Sequence, residues 1–340
     1  MKPTTLGLLL GLCLGGAMPA GTQATPPDAN QCWVTLGTAG GPIAVAERSP
    51  PANLLIAGNQ RILVDAGDGA VEQLAALGLQ PSAIDGLFIS HLHIDHIGGL
   101  QGLIGLRWMT AAPRPLVIYG PPGTEELVSG IIASLQPSVR AGLGAGARRS
   151  TDGIVRVVTL DGGSDIALGD LRVRVVRNTH FTSEPDKAKD SAISLSYRFD
   201  RAGSSIGYTG DTGESESVAA LFRHVDMLIS EVIDLPRVLE MVRRNKADAE
   251  GDMRDLAAHL ASHHLSPAQA GTLAEKTGAH ALVFTHLSIT GSTASAEPTL
   301  LSGARAIYHG HTTVAHDLSR FCVDAENGHS TAYGPGDVTP

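Results

Sequence analysis

The stretch Ser90-His-Leu-His-Ile-Asp-His-Ile-Gly-Gly-Leu100 decides how this 340-residue chain is read. His91, His93, Asp95 and His96 fall within six positions, directly after the short apolar run from Gly86 to Ser90. In an extended segment His91 and His93 point to the same side, so they can bind one metal ion. Asp95 and His96 follow where the strand gives way to a turn and can reach a second ion. Gly98 and Gly99 let the backbone bend tightly there. Imidazole with carboxylate suits zinc, and also iron or manganese. The competing reading is a chance His-rich surface loop. Four ligand-capable residues at this spacing, ending a buried strand, weigh against it.

Working outward, three more candidates follow apolar runs. His180 lies in Asn178-Thr-His-Phe181, past the strand-like Arg172–Val176. Asp211 lies in Tyr208-Thr-Gly-Asp-Thr-Gly213, and His286 in Phe284-Thr-His-Leu-Ser288. Taken singly, each reads equally well as a turn or surface residue. Their shared place at the carboxyl ends of strands favours a site, because that edge is where open α/β sheets gather their chemistry. Strands are expected over 32–36, 53–57, 61–64, 86–90, 116–119, several between 154 and 177, 193–199, 205–208, 225–229, 281–284, 304–308 and 313–315. Helical spacing recurs after 69, over 124–135, 235–262 and 267–276. The expectation is an α/β protein with one folded domain, residues 25–323, entered through a Pro-rich linker at 25–31. The polar tail 324–340 reads as disordered.

The first residues read as a leader. Lys2 precedes the apolar run Leu6 to Ala17, too short to span a bilayer, and Ala24 suits cleavage. A signal peptide at 1–24 makes the mature protein periplasmic or secreted, with no stable membrane anchor. Its removal takes Lys2 and shifts the net charge from −9 to −10. An acidic chain disfavours non-specific binding to nucleic acid. The one basic cluster, Arg148-Arg149 with Arg140, reads as a solvated loop. Loss of the leader also removes Cys13 and leaves Cys32 and Cys322, which either pair in an oxidising compartment or remain buried thiols.

The string His91-Leu-His-Ile-Asp-His96 resembles the HxHxDH signature of the metallo-β-lactamase superfamily. Leu36-Gly-Thr38, Val64-Asp-Ala-Gly-Asp-Gly69, the entry Phe88-Ile-Ser-His-Leu-His93 and the exit Gly98-Gly-Leu-Gln-Gly-Leu103 are similar to its ribonuclease Z and arylsulfatase-like branch. The resemblance implies an αββα sandwich, two mixed β-sheets flanked by helices, with two Zn2+ (Fe or Mn as substitutes) at one edge. It implies that His91, His93 and His180 hold one ion, that Asp95, His96 and His286 hold the other, and that Asp211 bridges them. A bridging water or hydroxide would be the nucleophile. Ile229-Ser-Glu-Val232 and His264-Leu-Ser-Pro-Ala-Gln-Ala270 resemble the paired Glu and His motifs of ribonuclease Z. Carried over, Asp95, Glu231 and His264 form the catalytic set, with Glu231 orienting His264 and His264 assisting the leaving group. Ser230 and Leu265-Ser266 depart from that branch, and the neighbouring His263 competes for the role.

The branch that matures tRNA carries a long arm between the positions of His180 and Asp211. Here 211 − 180 − 1 = 30 residues intervene, enough for a turn and a hairpin. The expected function is therefore an exported di-metal hydrolase of a small-molecule ester: an aryl sulfate, a phosphodiester or a carboxylic ester. β-Lactamase or lactonase activity, a di-iron redox enzyme and a non-catalytic metal-binding protein are the alternatives, and tRNA 3′-processing is disfavoured. No nucleic-acid partner is expected, and a homodimer is left open. Arg237, Arg243, Arg244 and Lys246 lie on the helical stretch before His264, where they either meet an anionic substrate or coat a solvated helix. His309 and His311 carry no assigned role.

Overall fold

The computed structural model describes residues 29–142, 149–182, 192–245, 250–324 and 330–333. The leader and residues 25–28 lie outside these. Ala29–Gln31, expected in the linker, already belong to β1 (Ala29–Gly37). β2 (Ala52–Ala57) and β3 (Gln60–Ala66) form the expected hairpin. Then come α1 (Ala70–Ala76), β4 (Gly86–Phe88), α2 (Ile94–Ile97), α3 (Leu100–Met109), β5 (Leu116–Gly120), α4 (Thr124–Ser134), α5 (Gln136–Ala141) and β6 (Val155–Thr159). β3 to β6 run parallel.

The second half mirrors the first. β7 (Asp165–Leu168), β8 (Leu171–Arg177), β9 (Leu195–Arg201) and β10 (Ser204–Tyr208) form an antiparallel meander. The β9–β10 hairpin supplies the hairpin expected between His180 and Asp211, while residues 183–191 lie outside the described set. α6 (Glu216–Leu221), β11 (Met227–Ile233), α7 (Leu235–Asn245), α8 (Glu250–His263), α9 (Pro267–Thr277), β12 (Ala281–Ser288), α10 (Thr293–Arg305) and β13 (His311–Val314) follow, with β10 to β13 parallel. β14 (Ser319–Asp324) and β15 (Ser330–Tyr333) return to the first sheet. The two sheets order as β15-β14-β1-β2-β3-β4-β5-β6 and β13-β12-β11-β10-β9-β8-β7.

The layering follows from what each face buries. Between the sheets Trp33, Phe88, Tyr197, Phe199, Tyr208 and Ile229 pack into one core. Behind the first sheet α1, α3 and α4 cover Leu54, Leu63, Leu87 and Ile118. Behind the second, α6, α9 and α10 cover Leu228, Leu282 and Phe284. Strands such as β4 and β11, covered on both faces, therefore read as continuous apolar runs rather than alternating ones. This is the αββα sandwich of two mixed sheets. No helix among the described residues is long and apolar enough to cross a membrane.

Two further expectations are corrected. Residues 304–308, read as a strand, contain the end of α10 and the turn after it, because the helical spacing of Ala296, Leu300 and Ala304 carries the buried face. β14 was not read at all. The tail, expected to be disordered from 324, supplies Ser330–Tyr333 as an edge strand paired antiparallel with β14. Cys32 and Cys322 stand opposite each other in the β1–β14 ladder and are joined by a disulfide.

Candidate metal centre

The site forms where loops leave β4, β8 and β10 and where β11 and β12 bulge. Asp65, the penultimate residue of β3, adopts φ 59° and is fully buried. Its carboxylate accepts from Ser90 N (2.7 Å), Ser90 Oγ (2.9 Å), Tyr208 Oη (2.7 Å) and His96 Nδ1 (2.9 Å). One carboxylate thus holds the loop that carries His91 and fixes the ring of His96. Gly67 and Gly99 allow the two loops to touch: a Cβ on Gly67 would lie 2.2 Å from the Asp95 carbonyl, and one on Gly99 2.3 Å from the Gly67 carbonyl. Nothing larger than glycine fits there.

All seven residues expected to bind metal converge. His93 Nδ1 lies 3.0 Å from His91 Nε2 and 3.1 Å from His180 Nε2. The second triad sets His96 Nε2 3.7 Å, and His286 Nε2 3.6 Å, from Asp95 Oδ2. Asp211 stands between the two. Its Oδ2 faces His91 Nε2 at 3.9 Å and His180 Nε2 at 4.0 Å, and its Oδ1 faces His96 Nε2 at 3.4 Å and His286 Nε2 at 3.1 Å. One oxygen of the same carboxylate is presented to each triad.

The residues present fit a pair of divalent ions. His96 Nε2, His286 Nε2 and Asp211 Oδ1 are buried without a hydrogen bond among the described residues. Buried polar atoms need a partner, and these three point at one another. The outward nitrogens are fixed from behind, as metal-binding imidazoles usually are. His96 Nδ1 donates to Asp65, and His180 Nδ1 donates to the His263 carbonyl at 3.2 Å. The ring of Phe181 covers those of His91, His93 and His180 at centroid distances of 5.7, 5.1 and 4.7 Å.

The electrostatics differ between the triads. Burial holds His91 well below the ordinary histidine value and His180 at about 3, against the pull of Asp211. Burial lowers His93 as well. These three imidazoles are uncharged at neutral pH. Burial also opposes charge on His96 and His286, but there the carboxylates win. Asp211 and Asp65 lift His96 to about 10, and Asp211, with the Asp95 carboxylate beside it, lifts His286 well above its ordinary value. Burial pushes Asp95 upward, yet His286 and His96 bring it to about 2. A cation at the second triad therefore has to replace protons, whereas one at the first does not.

His286 was expected just past its strand. It lies within β12 at φ 43°. Between the pairs Ser230↔Phe284 and Val232↔Leu287 the β11–β12 ladder slips, so Thr285 and His286 oppose the single residue Glu231. Such a bulge re-aims side chains, and here it turns Glu231 and His286 into the site. Glu231 is fully buried, accepts from Thr212 N at 2.6 Å, and meets His264 Nδ1 at 2.6 Å. Of the two neighbouring histidines, His264 meets Glu231, whereas His263 Nδ1 donates to the His180 carbonyl. His264 is held in place by the capping box of α9, where Ser266 and Gln269 bond reciprocally. Burial opposes charge on His264, and the Glu231 carboxylate overcomes it and raises its pKa.

Asp65 is the residue that sequence reasoning missed. It sat in the quoted Val64–Gly69 turn, and its signal was an aspartate that ends a buried strand. Among the described residues, Arg237, Arg243 and Arg244 of the helical stretch do not line the cavity over the site. Arg237 pairs with Asp234 at 3.4 Å and Arg244 pairs with Glu240, while Lys246 lies outside the described residues. Of the other cluster, Arg149 donates to the carbonyls of Trp108 and Met109.

Comparison with known proteins agrees with this geometry. Residues 60–287 match the family model described as a beta-lactamase superfamily domain. A ribonuclease Z of Mycobacterium avium (strain 104) is 29% identical over 295 residues, which cover 86% of this chain and 98% of that protein. One from Mycolicibacterium gilvum (strain PYR-GCK) is 30% identical over 258 residues, covering 74% and 83%. Among solved structures, the metallo-beta-lactamase fold protein YhfI from Bacillus subtilis superposes with a TM-score of 0.63 at 19% identity, covering 86% of this chain and 98% of that one. The chain belongs to the metallo-β-lactamase superfamily, on its ribonuclease Z branch, and is a metal-dependent hydrolase.

Proposed function

We propose that the protein is an exported di-zinc hydrolase of small esters. The carrying observation is Asp211 presenting one oxygen to each triad, beside a histidine whose pKa a buried glutamate raises. His91, His93 and His180 would hold one ion, Asp95, His96 and His286 the other, with Asp211 shared. Bound there, two zinc ions supply a water of lowered pKa and neutralise charge on the reacting oxygens.

The chain's own residues do the rest. Thr212 N donates to Glu231 and holds it in place, and the Glu231 carboxylate in turn accepts from His264 Nδ1 and fixes that ring. His264 lines the cavity above the site, so its Nε2 can give a proton to the departing oxygen. Phe181 packs against the rings of His91, His93 and His180 and steadies them. Export is supported by the leader-like first residues and by the Cys32–Cys322 bridge, since disulfides persist in oxidising compartments.

A second reading, cleavage of RNA, has the ribonuclease Z relatives in its favour. Against it stand the net charge of −9 and a cavity whose lining holds no lysine among the described residues. A polyanion needs cationic contacts along its backbone.

The deciding experiment is a hydrolysis panel on the zinc-loaded protein: aryl sulfate, aryl phosphodiester, aryl carboxylate, lactone, chromogenic β-lactam and a structured RNA, with His91→Ala as control. Cleavage of a small ester that the control abolishes supports the reading. Cleavage of RNA alone overturns it.

A further inference from the structure

A cavity of ≈ 520 Å³ opens directly over the metal centre. His93, Asp95, His180, Asp211 and His264 form its floor. Its walls are of another kind. Ile43 comes from the loop after β1, Ile94 from the start of α2, Met241 from α7, Leu256 and Leu260 from α8. Val238 continues the face of α7. On the outer side of the same two helices Glu240 and Arg244 are paired and exposed, and Arg254 and Asp255 are exposed.

Two features of the walls bear on what fills them. Ile94 is 69% exposed and Ile43 51%, and both line the opening. Large aliphatic side chains left in water beside a reaction centre gain free energy when an apolar group covers them. Arg48, the only arginine among the described lining residues, is buried; it donates to Thr293 Oγ1 at 3.0 Å and has the Glu47 carboxylate 3.8 Å from Nη1, so a counter-charge already faces it. An anionic chain would thus exchange water for hydrocarbon without a counter-charge along the walls, which is costly.

The geometry points to a carboxylic ester bearing a medium-length linear acyl chain, with the chain laid beneath α7 and α8 and the ester bond on the metal floor. This rests on the ester-hydrolase reading above and narrows it. In the reaction, water oxygen bonds to the acyl carbon, the bond from that carbon to the alkoxy or aryloxy oxygen breaks, and the departing oxygen takes the proton of His264 Nε2; one proton of the attacking water restores His264, and the other leaves to solvent as the acid product ionises.

The test uses the zinc-loaded protein with p-nitrophenyl acetate, butanoate, hexanoate and octanoate. Each methylene moved from water into the cavity should raise kcat/KM by about fourfold. Leu260→Glu and Met241→Glu place a carboxylate in the half-buried wall and should flatten that series. Melting temperature and zinc content check that both variants fold. Glu240→Gln, on the outer face of α7, should leave the slope as it is. As a readout without turnover, calorimetry with octanamide and butanamide should show tighter binding of the longer amide, and Leu260→Glu should abolish the difference. If the esters are cleaved with a flat series and the two amides bind alike, the acyl-chain inference is overturned and the hydrolase reading stands. If no ester is cleaved while octanamide still binds more tightly than butanamide, the ester reading is overturned and the aliphatic preference of the cavity is upheld.

Discussion

Glu231 Oε2 and His264 Nδ1 meet at 2.6 Å, although the residues lie 33 apart in sequence. The glutamate is fixed from the other side by Thr212 N, and in the proposed reaction it acts through the histidine. Replacing His264 by Ala should lower kcat by about 10²–10³ on esters with poor leaving groups. On nitrophenyl esters, which need little proton assistance, the loss should be much smaller. Glu231→Gln removes the carboxylate that raises His264. The imidazolium then loses its proton at lower pH, and the basic limb of the kcat profile should move down the pH scale. An unmoved basic limb would mean that Glu231 serves packing alone.

Asp211 divides its two oxygens between the triads, Oδ2 at 3.9 Å from His91 Nε2 and Oδ1 at 3.1 Å from His286 Nε2. Asparagine in its place turns one of these acceptors into an amide donor. Asp211→Asn is expected to retain fewer than two metal ions per chain, read by elemental analysis, and to lose at least about 10²-fold in kcat. A variant that keeps both ions and full rate would remove Asp211 from the bridging role.

The parts of this centre that were legible in the sequence are the local ones. His91, His93, Asp95 and His96 share six positions, and the glycines after them announce the tight turn. His180 and Asp211 could be read because apolar runs end just before them. His286 was found for a partly wrong reason. Its strand does not end at Phe284, and a bulge against Glu231 delivers its ring. Bulges leave no mark in hydrophobic alternation. Asp65 was missed because its four donors come from residues 90, 96 and 208, and only the fold brings them to it. α10 and the returning β14–β15 pair escaped for a related reason. Their pairing and packing partners lie far away in the chain, and short apolar runs such as Ala304 to Tyr308 do not distinguish helix from strand.

Asp65 offers a test of positioning at a distance from the substrate. Asp65→Asn keeps the volume but weakens acceptance from His96 Nδ1 and places an amide donor among four donors. Buried donors left short of an acceptor should cost about 1–3 kcal/mol in stability. Loosening the ring behind a ligand should weaken metal binding by about 10–100-fold. Chelator competition reads the second number and thermal melting the first. Wild-type zinc affinity in a destabilised Asp65→Asn protein would restrict the residue to a structural role.

The bridge between Cys32 and Cys322 closes a sequence separation of 290. In the chain-entropy description, a loop of this size is worth roughly 5 kcal/mol, and strain reduces the value. Cys322→Ser, or wild type under reductant, should melt well below the oxidised protein while keeping its kcat, because neither cysteine touches the metal centre. Equal melting with and without reductant would show that the bridge does not stabilise the fold.

The two triads should take up metal at different pH. His91, His93 and His180 are lowered by burial, the last to about 3, so they carry no proton for a cation to displace near neutrality. His96, lifted to about 10 by Asp211 and Asp65, and His286, lifted well above its ordinary value, do carry one. Asp95, at about 2, is ionised throughout. Binding at the second triad therefore releases protons and strengthens with pH, while binding at the first is nearly flat. Zinc titrated at roughly pH 6 should fill one site before the other, and at roughly pH 9 the two steps should merge. The metal-free protein should show the opposite trend. A histidine whose folded pKa exceeds its unfolded value of 6.5 stabilises the fold fully below that value, and the gain is lost as pH rises through about 10. Melting temperature of the metal-free protein should thus fall between pH 6.5 and 10, and bound zinc should restore most at the alkaline end. Simultaneous filling of both sites at every pH, with a flat metal-free melting curve, would mean that the two triads do not differ in protonation.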